Sequence, residues 1–260
     1  MTGESFPVSH IDLGTIETFK EEYHGIHSKQ GININLRFIK TLLYWCERKN
    51  YIEKAPRFRP VKISDSPPSY ITENEFGKIV ALDELESFYK ELFIFHLQTG
   101  LRLSEPYKGK LHDNWLVIEA EGTKQKREHE VDLSDELVKK WELMMSRFNT
   151  WIDRGRQPSN FTGNISKTFN WACKQAKIEN HNFHDLRHTF AVRMYLVTND
   201  IYQVRKFLGH NSVTTTEKYA NFSRRRLAAD FPSLKKYVQE SEHRARMPYI
   251  PFANQIRDTN

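Results

Sequence analysis

The chain has 260 residues and a mass of 30.9 kDa, enough to bury a sizeable core and to form two domains. It carries 39 Lys and Arg against 33 Asp and Glu, a basic excess that favours a polyanionic partner without identifying one. Cys46 and Cys173 form no CxxC pair, which argues against a disulfide framework and a zinc ribbon. No run of about 18 apolar residues is present to span a membrane. We therefore expect a soluble, cytoplasmic protein with no membrane partner.

Two helices are predicted at the N-terminus. Ile16, Phe19 and Tyr23 recur at helical spacing and stop before Gly25, a residue that readily closes a helix. A stronger apolar stripe then marks one face of a second helix, formed by Ile32, Leu36, Ile39, Leu43 and Cys46.

A proline-rich stretch follows and breaks the helical pattern, so we assign residues 59–70 to an interdomain linker. Arg57 and Arg59 add positive charge and are candidates for contacts to a DNA backbone. A solvated connector with no such contact is an equally good interpretation.

A second domain is predicted to begin with the capping-box pair Thr72 and Glu75. An amphipathic helix through Leu85 and Phe95 should end near Gly100, and period-two alternation over residues 116–120 and 129–133 predicts a β-hairpin.

Helices are predicted to dominate from Ser134 onward. One spans His184 to Val197 and another runs from Asp200 to Leu208, before Gly209. A second capping-box pattern, Thr214 with Glu217, predicts a short helix that carries Tyr219.

One set of residues suits the chemistry of a phosphodiester. Two arginines, two histidines, a lysine and a tyrosine can bind such an anion and attack it with a protein hydroxyl, and the sequence offers no carboxylate cluster to hold magnesium. The candidate catalytic residues are Arg102, Lys124, His184, Arg187, His210 and Tyr219.

Three motifs carry a family resemblance: TGLRLSE, HDLRHTFA and LGHNSVTTTEKY. In order and spacing they resemble the signature boxes of the tyrosine recombinase, or phage-integrase, family. The resemblance covers about Tyr70 to Leu234, and residues 34–56 are more loosely similar to the last helix of the family's core-binding domain.

The resemblance implies a fold that is mainly α with a small antiparallel β-hairpin or sheet. It places a short helical core-binding segment in residues 1–58, a mixed α/β catalytic domain in residues 71–231, and a tail in residues 232–260 that docks on a neighbouring subunit or packs on its own. The N-terminal segment is shorter than a complete four-helix core-binding domain, so we expect a reduced clamp around DNA or a missing part.

The resemblance also implies residue roles. Arg102 and Arg187 would clamp the non-bridging oxygens of the scissile phosphate, and His210 would donate to the same group. Tyr219 would attack phosphorus to form a 3′-phosphotyrosyl link, with His184 accepting its proton. Lys124 would protonate the departing 5′-oxygen, with Lys126 and Arg127 in the same turn left open as alternatives.

Further residues have supporting roles in this interpretation. Glu105, Asp185 and His188 form a shell that packs and orients the site. Candidates for DNA-backbone contacts, with a solvated charged face as the alternative, are Lys126, Arg127, Arg154, Arg156, Arg224, Arg225 and Arg226. Pro106 directly follows Glu105, so the family's usual helix after the first box should be cut short.

The implied activity is site-specific DNA strand transfer, for integration or excision of a mobile element, with no metal or nucleotide cofactor. A Xer-like dimer resolvase, a type IB topoisomerase and a non-catalytic DNA-binding relative are the alternatives. Double-stranded DNA is the expected partner, bound by a homo-tetramer on paired sites that is monomeric when free.

A metal site formed by His181, His184 and His188 is a weaker hypothesis, because Arg187 between them would repel a cation.

Overall fold

The computed structural model describes residues 7–63, 67–123, 126–178 and 180–241. The chain separates into two compact units, Met1–Ser66 and Pro67–Asn260. Within the described residues, no helix has the length and apolar character needed to cross a membrane.

The first unit contains helices α1 (Leu13–Tyr23) and α2 (Lys29–Arg48). Asp12 and Ser28 cap them by accepting hydrogen bonds from backbone amides of the first turn. Gly25 adopts a φ of 92° just beyond α1. Both predicted helices are therefore confirmed.

The apolar stripe of α2 is buried in this unit, except for Ile39, which is partly exposed. Phe58 and Val61 pack against the cluster around Ile16 and Ile32. The side chain of Asn33 bonds both backbone groups of Val61, at 2.7 and 2.9 Å. The start of the predicted linker is thus attached to α2.

The second unit begins with α3 (Glu73–Val80) and α4 (Ser87–Thr99). Thr72 and Glu75 form the predicted capping box. Helix α4 is buried on several faces, not on one stripe as predicted, because helices from both sides pack against it. These helices are α5 (Asp135–Asp153) and α7 (Asp185–Thr198), while α6 (Pro158–Gln175) completes the core.

A three-stranded antiparallel sheet follows α4, with strands β1 (Lys110–His112), β2 (Trp115–Ile118) and β3 (His129–Asp132) in that order. Strands β2 and β3 are the predicted hairpin, which the structure confirms. Strand β1 was not predicted, because three residues are too few to show a period of two. The segment before it holds a single 3₁₀ turn, Pro106–Lys108, so the shortening expected from Pro106 is confirmed.

The remaining helices are short: α8 (Ile201–Phe207), α9 (Thr214–Glu217), α10 (Arg224–Asp230) and α11 (Lys235–Ser241). Helix α8 agrees with the prediction and is capped by the side chain of Asp200.

The predicted capping box at Thr214 is wrong. Val213 occupies the cap position of α9 and forms no side-chain cap, so Thr214 is already inside the helix. Tyr219 was expected on this helix but lies in the turn after it, where its amide donates to the carbonyl of Thr216 at 2.9 Å. One helical turn is all that separates the polar segment after Gly209 from this tyrosine.

Two hydrogen bonds join the beginning of the second unit to residues near its end. The Tyr70 hydroxyl donates to Asp230 of α10 at 2.5 Å, and the Ser233 hydroxyl donates to Glu73 of α3 at 2.7 Å. The described part of the tail packs in cis: Leu234 is fully buried, and Tyr237 and Val238 cover the same cluster, which is centred on α7. Residues 242–260 lie outside the described residues.

Candidate active site

Arg102 follows α4 on a loop whose course depends on Gly100. Gly100 has a φ of 66°, and a Cβ at this position would lie 2.3 Å from Cδ1 of Phe190. Only glycine accommodates both the backbone conformation and the close approach. The loop then returns Arg102 toward Glu105, which accepts from its backbone amide at 2.8 Å and from Nη1 at 2.6 Å.

Arg187 is buried on α7 and joins three segments. Its Nη1 donates to the carbonyl of Gly100 at 2.7 Å and its Nη2 to the carbonyl of Leu208 at 2.6 Å. Burial, and then the charge of Arg102, lower the pKa of Arg187 to about 10, so it stays protonated at neutral pH. The guanidinium has five N–H donors, so these two bonds leave capacity for an anion.

Glu105 lies beneath both arginines and is 2% exposed. Burial disfavours its ionised form, but the Arg102 amide and the charges of Arg187 and Arg102 together lower its pKa. Glu105 is thus a buried carboxylate that balances part of the positive charge of the two arginines.

His184 precedes α7, one turn before His188, and the two rings meet edge to face with centroids 4.7 Å apart. Nδ1 of His188, not a nitrogen of His184, lies 2.7 Å from the Tyr219 hydroxyl. The structure therefore differs from the expectation that His184 contacts the tyrosine and His188 only packs. Burial, followed by the nearby cations, lowers the pKa of His184 to about 4 and that of His188 to about 3.

His210 follows Gly209, which has a φ of 60° and lies against the ring of His129. Its Nδ1 is 2.9 Å from Oγ1 of Thr216, a fully buried residue of α9. Burial, and then Arg187 and Arg102, lower the pKa of His210 to about 3, so the ring is neutral at physiological pH.

Tyr219 is 1% exposed and packs in the apolar cluster around α7. Burial raises the pKa of its hydroxyl to about 12, against the opposing effect of Arg187 and Arg102. Tyr219 is nevertheless among the residues that line a cavity, together with both arginines. The phenol is therefore held inside the protein but next to the cationic groups.

That cavity has a volume of about 520 Å³ and brings together most of the predicted catalytic residues. It is lined by Arg102, Lys126, His184, Arg187, His188, His210, Asn211, Thr215, Lys218 and Tyr219. Cationic and imidazole groups thus surround a space that suits a phosphate.

Lys124 lies outside the described residues. Lys126, the alternative from the same turn, lines the cavity with a backbone φ of 52°. Arg127 instead borders a neighbouring groove beside α8, and its backbone is held by Thr123.

Lys218 was not singled out from the sequence. It lies half-buried with Nζ 5.1 Å from the centre of the Tyr219 ring, and burial, then Arg187, lower its pKa. Its position directly before Tyr219 in the sequence could have indicated a second cation near the tyrosine.

Asp185 is buried at the start of α7 and accepts from Ser69 Oγ at 2.9 Å and from the amide of Asn182 at 2.9 Å. His181 lies 3.2 Å from the same carboxylate, which raises the pKa of this imidazole. His181 is therefore engaged with Asp185 and not with the other two histidines. In the part of the chain that the structure describes, no three His, Cys, Asp or Glu side chains form a group able to hold a metal ion.

The other candidate arginines fall into different environments. Arg57, Arg59, Arg154 and Arg225 are exposed. The remaining three have intramolecular contacts: Arg156 stacks on Trp151, Arg224 donates to the carbonyl of Leu196, and Arg226 lies 3.7 Å from Asp230.

A family model described as the phage integrase family matches residues 69–226, more than half of the chain. The chain belongs to the phage-integrase family of tyrosine recombinases. This confirms the resemblance inferred from the three motifs.

Curated relatives are similar over much of the chain. Tyrosine recombinase XerC of Psychromonas ingrahamii is 25% identical over 199 residues, which are 71% of this chain and 64% of the relative. The integrase of Salmonella phage P22 is 26% identical over 207 residues, or 73% of this chain and 53% of that protein. The chain thus spans less than two thirds of the length of either relative.

Solved structures show the same fold at low identity. A lambda integrase dimer bound to a core site matches with a TM-score of 0.64 and 18% identity, over 84% of this chain and 82% of that chain. XerH bound to a palindromic substrate matches with a TM-score of 0.59 and 17% identity, over 85% and 71% of the two chains. The predicted fold class is confirmed.

Proposed function

We propose that this chain is a site-specific DNA recombinase that cleaves and rejoins strands through a covalent 3′-phosphotyrosyl intermediate. One observation carries the proposal. The Tyr219 ring shares a single cavity with Arg102 and Arg187, although these residues come from three distant parts of the sequence.

In this mechanism the two arginines bind the non-bridging oxygens of the scissile phosphate. Arg187 is already oriented by two backbone carbonyls, so its planar fork loses little freedom when the anion binds. His184 and His210 add neutral N–H donors to the same phosphate. Preorganised donors of this kind stabilise the charge that develops on a pentacoordinate phosphorus.

The Tyr219 oxygen forms a bond to phosphorus as the bond to the 5′-oxygen breaks. The leaving oxygen takes a proton from a lysine of the β2–β3 turn, either Lys124 or Lys126, and the place of Lys126 at the cavity wall supports this turn as the source of the donor. The product keeps a phosphodiester linkage, so a second 5′-hydroxyl can reverse the step. The steps as written use no metal or nucleotide cofactor.

Integration or excision of a mobile element is the proposed use, and the similarity to the integrase of phage P22 supports it. Resolution of replicon dimers is a second candidate, supported by the similarity to several XerC proteins. A type IB topoisomerase would relax supercoiled plasmid without site preference, whereas both recombinase functions require paired sites.

The proposal is tested by incubating the protein with nicked duplexes that carry candidate sites and by looking for an adduct that survives denaturant. Tyr219→Phe should abolish the adduct and retain DNA binding. Tyr202→Phe is the matched control, because this tyrosine is 64% exposed on α8 and should leave the adduct unchanged. An EDTA-sensitive cleavage without any adduct would refute the mechanism.

We further propose double-stranded DNA as the partner, bound by four protomers on two duplexes and by a monomer when free. A lambda integrase tetramer bound to a Holliday junction is among the structures of the same fold, with a TM-score of 0.62. Residues 1–58 would add a helical DNA contact, and exposed Arg225 would contact the backbone. Charge reversal at Arg225 should then lower affinity equally for all sequences and reduce its salt dependence.

Docking of the tail in trans is a separate part of this proposal. Because Leu234 belongs to the core, the deletion that tests it should remove residues 242–260 only. Loss of cooperative binding on paired sites, with binding to a single site retained, would support docking on the neighbouring subunit. Unchanged cooperativity would refute it.

A further inference from the structure

The Tyr219 hydroxyl makes one short contact to an imidazole. Its oxygen lies 2.7 Å from Nδ1 of His188, within the usual range for a hydrogen bond. His188 is on α7 directly after Arg187, so the phenol is held by the residue next to a proposed phosphate ligand. The two rings are tilted by 54°, with centroids 5.8 Å apart, so they meet through this bond and not by stacking.

Both groups are neutral near pH 7. Burial lowers the pKa of His188 to about 3 and raises that of Tyr219 to about 12. A neutral phenol has one proton to donate, and we assign that proton to the bond with Nδ1, which leaves the ring proton of His188 on Nε2. The DNA-free protein thus holds a protonated nucleophile against an unprotonated base.

We propose that His188, and not His184, accepts the phenolic proton as Tyr219 attacks phosphorus. This inference rests on the proposed strand-transfer function and adds a catalytic residue to it. His188 touches the reacting oxygen, whereas His184 touches the ring of His188. His184 is then left to donate to the phosphate.

The charges around His188 explain why the transfer waits for substrate. Lys218, on the turn that carries Tyr219, and Arg187, on α7, disfavour its protonated form, while Asp185 favours it. A bound phosphodiester brings a negative charge into the same cavity and offsets the cations. Binding of DNA should therefore raise the pKa of His188 and prepare it to take the proton.

The step balances as follows. The Tyr219 O–H bond breaks and its proton passes to Nδ1, while the phenolic oxygen bonds to phosphorus. The 5′-oxygen leaves and receives a proton from the lysine donor. His188 ends as an imidazolium and the lysine as a neutral amine, and the reverse transfers accompany religation.

The test uses a nicked duplex with a sulfur atom at the bridging 5′ position. A thiolate leaves without a proton, so the rate of adduct formation no longer depends on the lysine donor. His188→Asn keeps an acceptor oxygen near the position of Nδ1 but cannot take a proton. His184→Asn is the matched control on the preceding turn.

We expect His188→Asn to lower the rate at neutral pH by about 10²–10⁴-fold, and to make it rise about tenfold per pH unit into the alkaline range, where hydroxide replaces the base. His184→Asn should keep the pH profile of the wild type. The inference is overturned if His188→Asn matches the wild-type rate, or if its rate falls with an unchanged pH profile, as for a purely positioning residue. Absence of any adduct in the wild type would instead refute the proposed function.

A second measurement is made without DNA and begins with the wild-type protein. The ¹⁵N spectrum of histidine-labelled wild-type protein should show His188 with an unprotonated, hydrogen-bonded Nδ1. In Tyr219→Phe this nitrogen should shift, because its donor is lost. A protonated Nδ1 in the wild type would overturn the inference.

Discussion

Nη1 of Arg187 donates to the carbonyl oxygen of Gly100 over 2.7 Å, which joins helix α7 to the loop that carries Arg102. The same guanidinium bonds the carbonyl of Leu208 at the end of α8. One side chain therefore holds in place the backbone segments that present Arg102 and His210.

This arrangement predicts that Arg187→Lys affects both stability and activity. A lysine has no planar fork that places two nitrogens against the two carbonyls, so we expect one bond to be lost, and a buried carbonyl left without its donor costs about 1–3 kcal/mol. We expect the free energy of unfolding in urea to fall by that amount, together with loss of the covalent adduct. Arg102→Lys, which replaces a partly exposed side chain, should abolish the adduct and change stability by less than about 1 kcal/mol.

Gly100→Ala should destabilise the second unit. The new methyl group would lie 2.3 Å from a buried phenylalanine ring, on a backbone with positive φ. Overpacking of this kind costs about 1–3 kcal/mol, and the left-handed conformation adds about 1 kcal/mol. Thermal unfolding followed by circular dichroism measures the effect.

Gly163→Ala provides the contrast. This glycine lies inside α6, and a Cβ there meets no atom within 4 Å. Alanine in a helix interior is favoured over glycine by about 0.5–1 kcal/mol, so the melting temperature should rise. Similar shifts for the two variants would contradict the packing described around Gly100.

Thr216→Val should reduce cleavage without removing a group that contacts DNA. With the threonine hydroxyl as donor, Nδ1 of His210 accepts and Nε2 carries the ring proton. Valine leaves His210 without this partner, and the loss of about 0.5–1.5 kcal/mol corresponds to a decrease of up to about tenfold in rate. Thr214→Val, an exposed position on the same helix, should have no effect on the rate of adduct formation.

His96 should make the protein acid-sensitive. Complete burial lowers the pKa of His96 from its ordinary value of 6.5 to about 4, while Nδ1 faces the carbonyl of Leu101. Between these values the unfolded chain binds a proton that the folded chain does not, so stability is present above pH 6.5 and is lost as the pH falls toward 4.

Urea midpoints across this pH range measure the effect. The wild type should lose up to about 1.4 kcal/mol per pH unit through His96, and His96→Gln should lower that slope. An identical pH dependence of stability in the two proteins would show that His96 does not take up a proton when the chain unfolds.

Leu234→Ala should lower the free energy of unfolding by about 2–5 kcal/mol, because the side chain is fully buried against the cluster around α7. Deletion of residues 242–260 should leave the urea midpoint of the second unit unchanged. If both changes were equally destabilising, the boundary between core and tail would lie later than Leu234.

The sequence predicted most elements, because each is marked by local signals. The Thr72–Glu75 capping box forms as expected, and helices α4 and α8 end close to Gly100 and Gly209 as expected. The box at Thr214 did not form, since the chain enters α9 one residue earlier, from Val213. Local patterns of this kind cannot decide which polar residue caps a helix of a single turn.

The site was predictable in part. The motifs identified most of the residues that line the cavity, but not how their side chains pair. His188 and Tyr219 are 31 residues apart, and their contact depends on the turn after α9, which no periodicity marks. The same turn places Lys218 in the cavity. The sequence therefore missed the contact between His188 and Tyr219 and the position of Lys218 for one physical reason.

The bonds from Tyr70 to Asp230 and from Ser233 to Glu73 bring the entry and the exit of the second unit to one place on its surface. The segment before Tyr70 and the segment after Ser233 consequently start from neighbouring positions. Neighbouring ends of this kind are what generally allow a domain to be circularly permuted or inserted into another polypeptide.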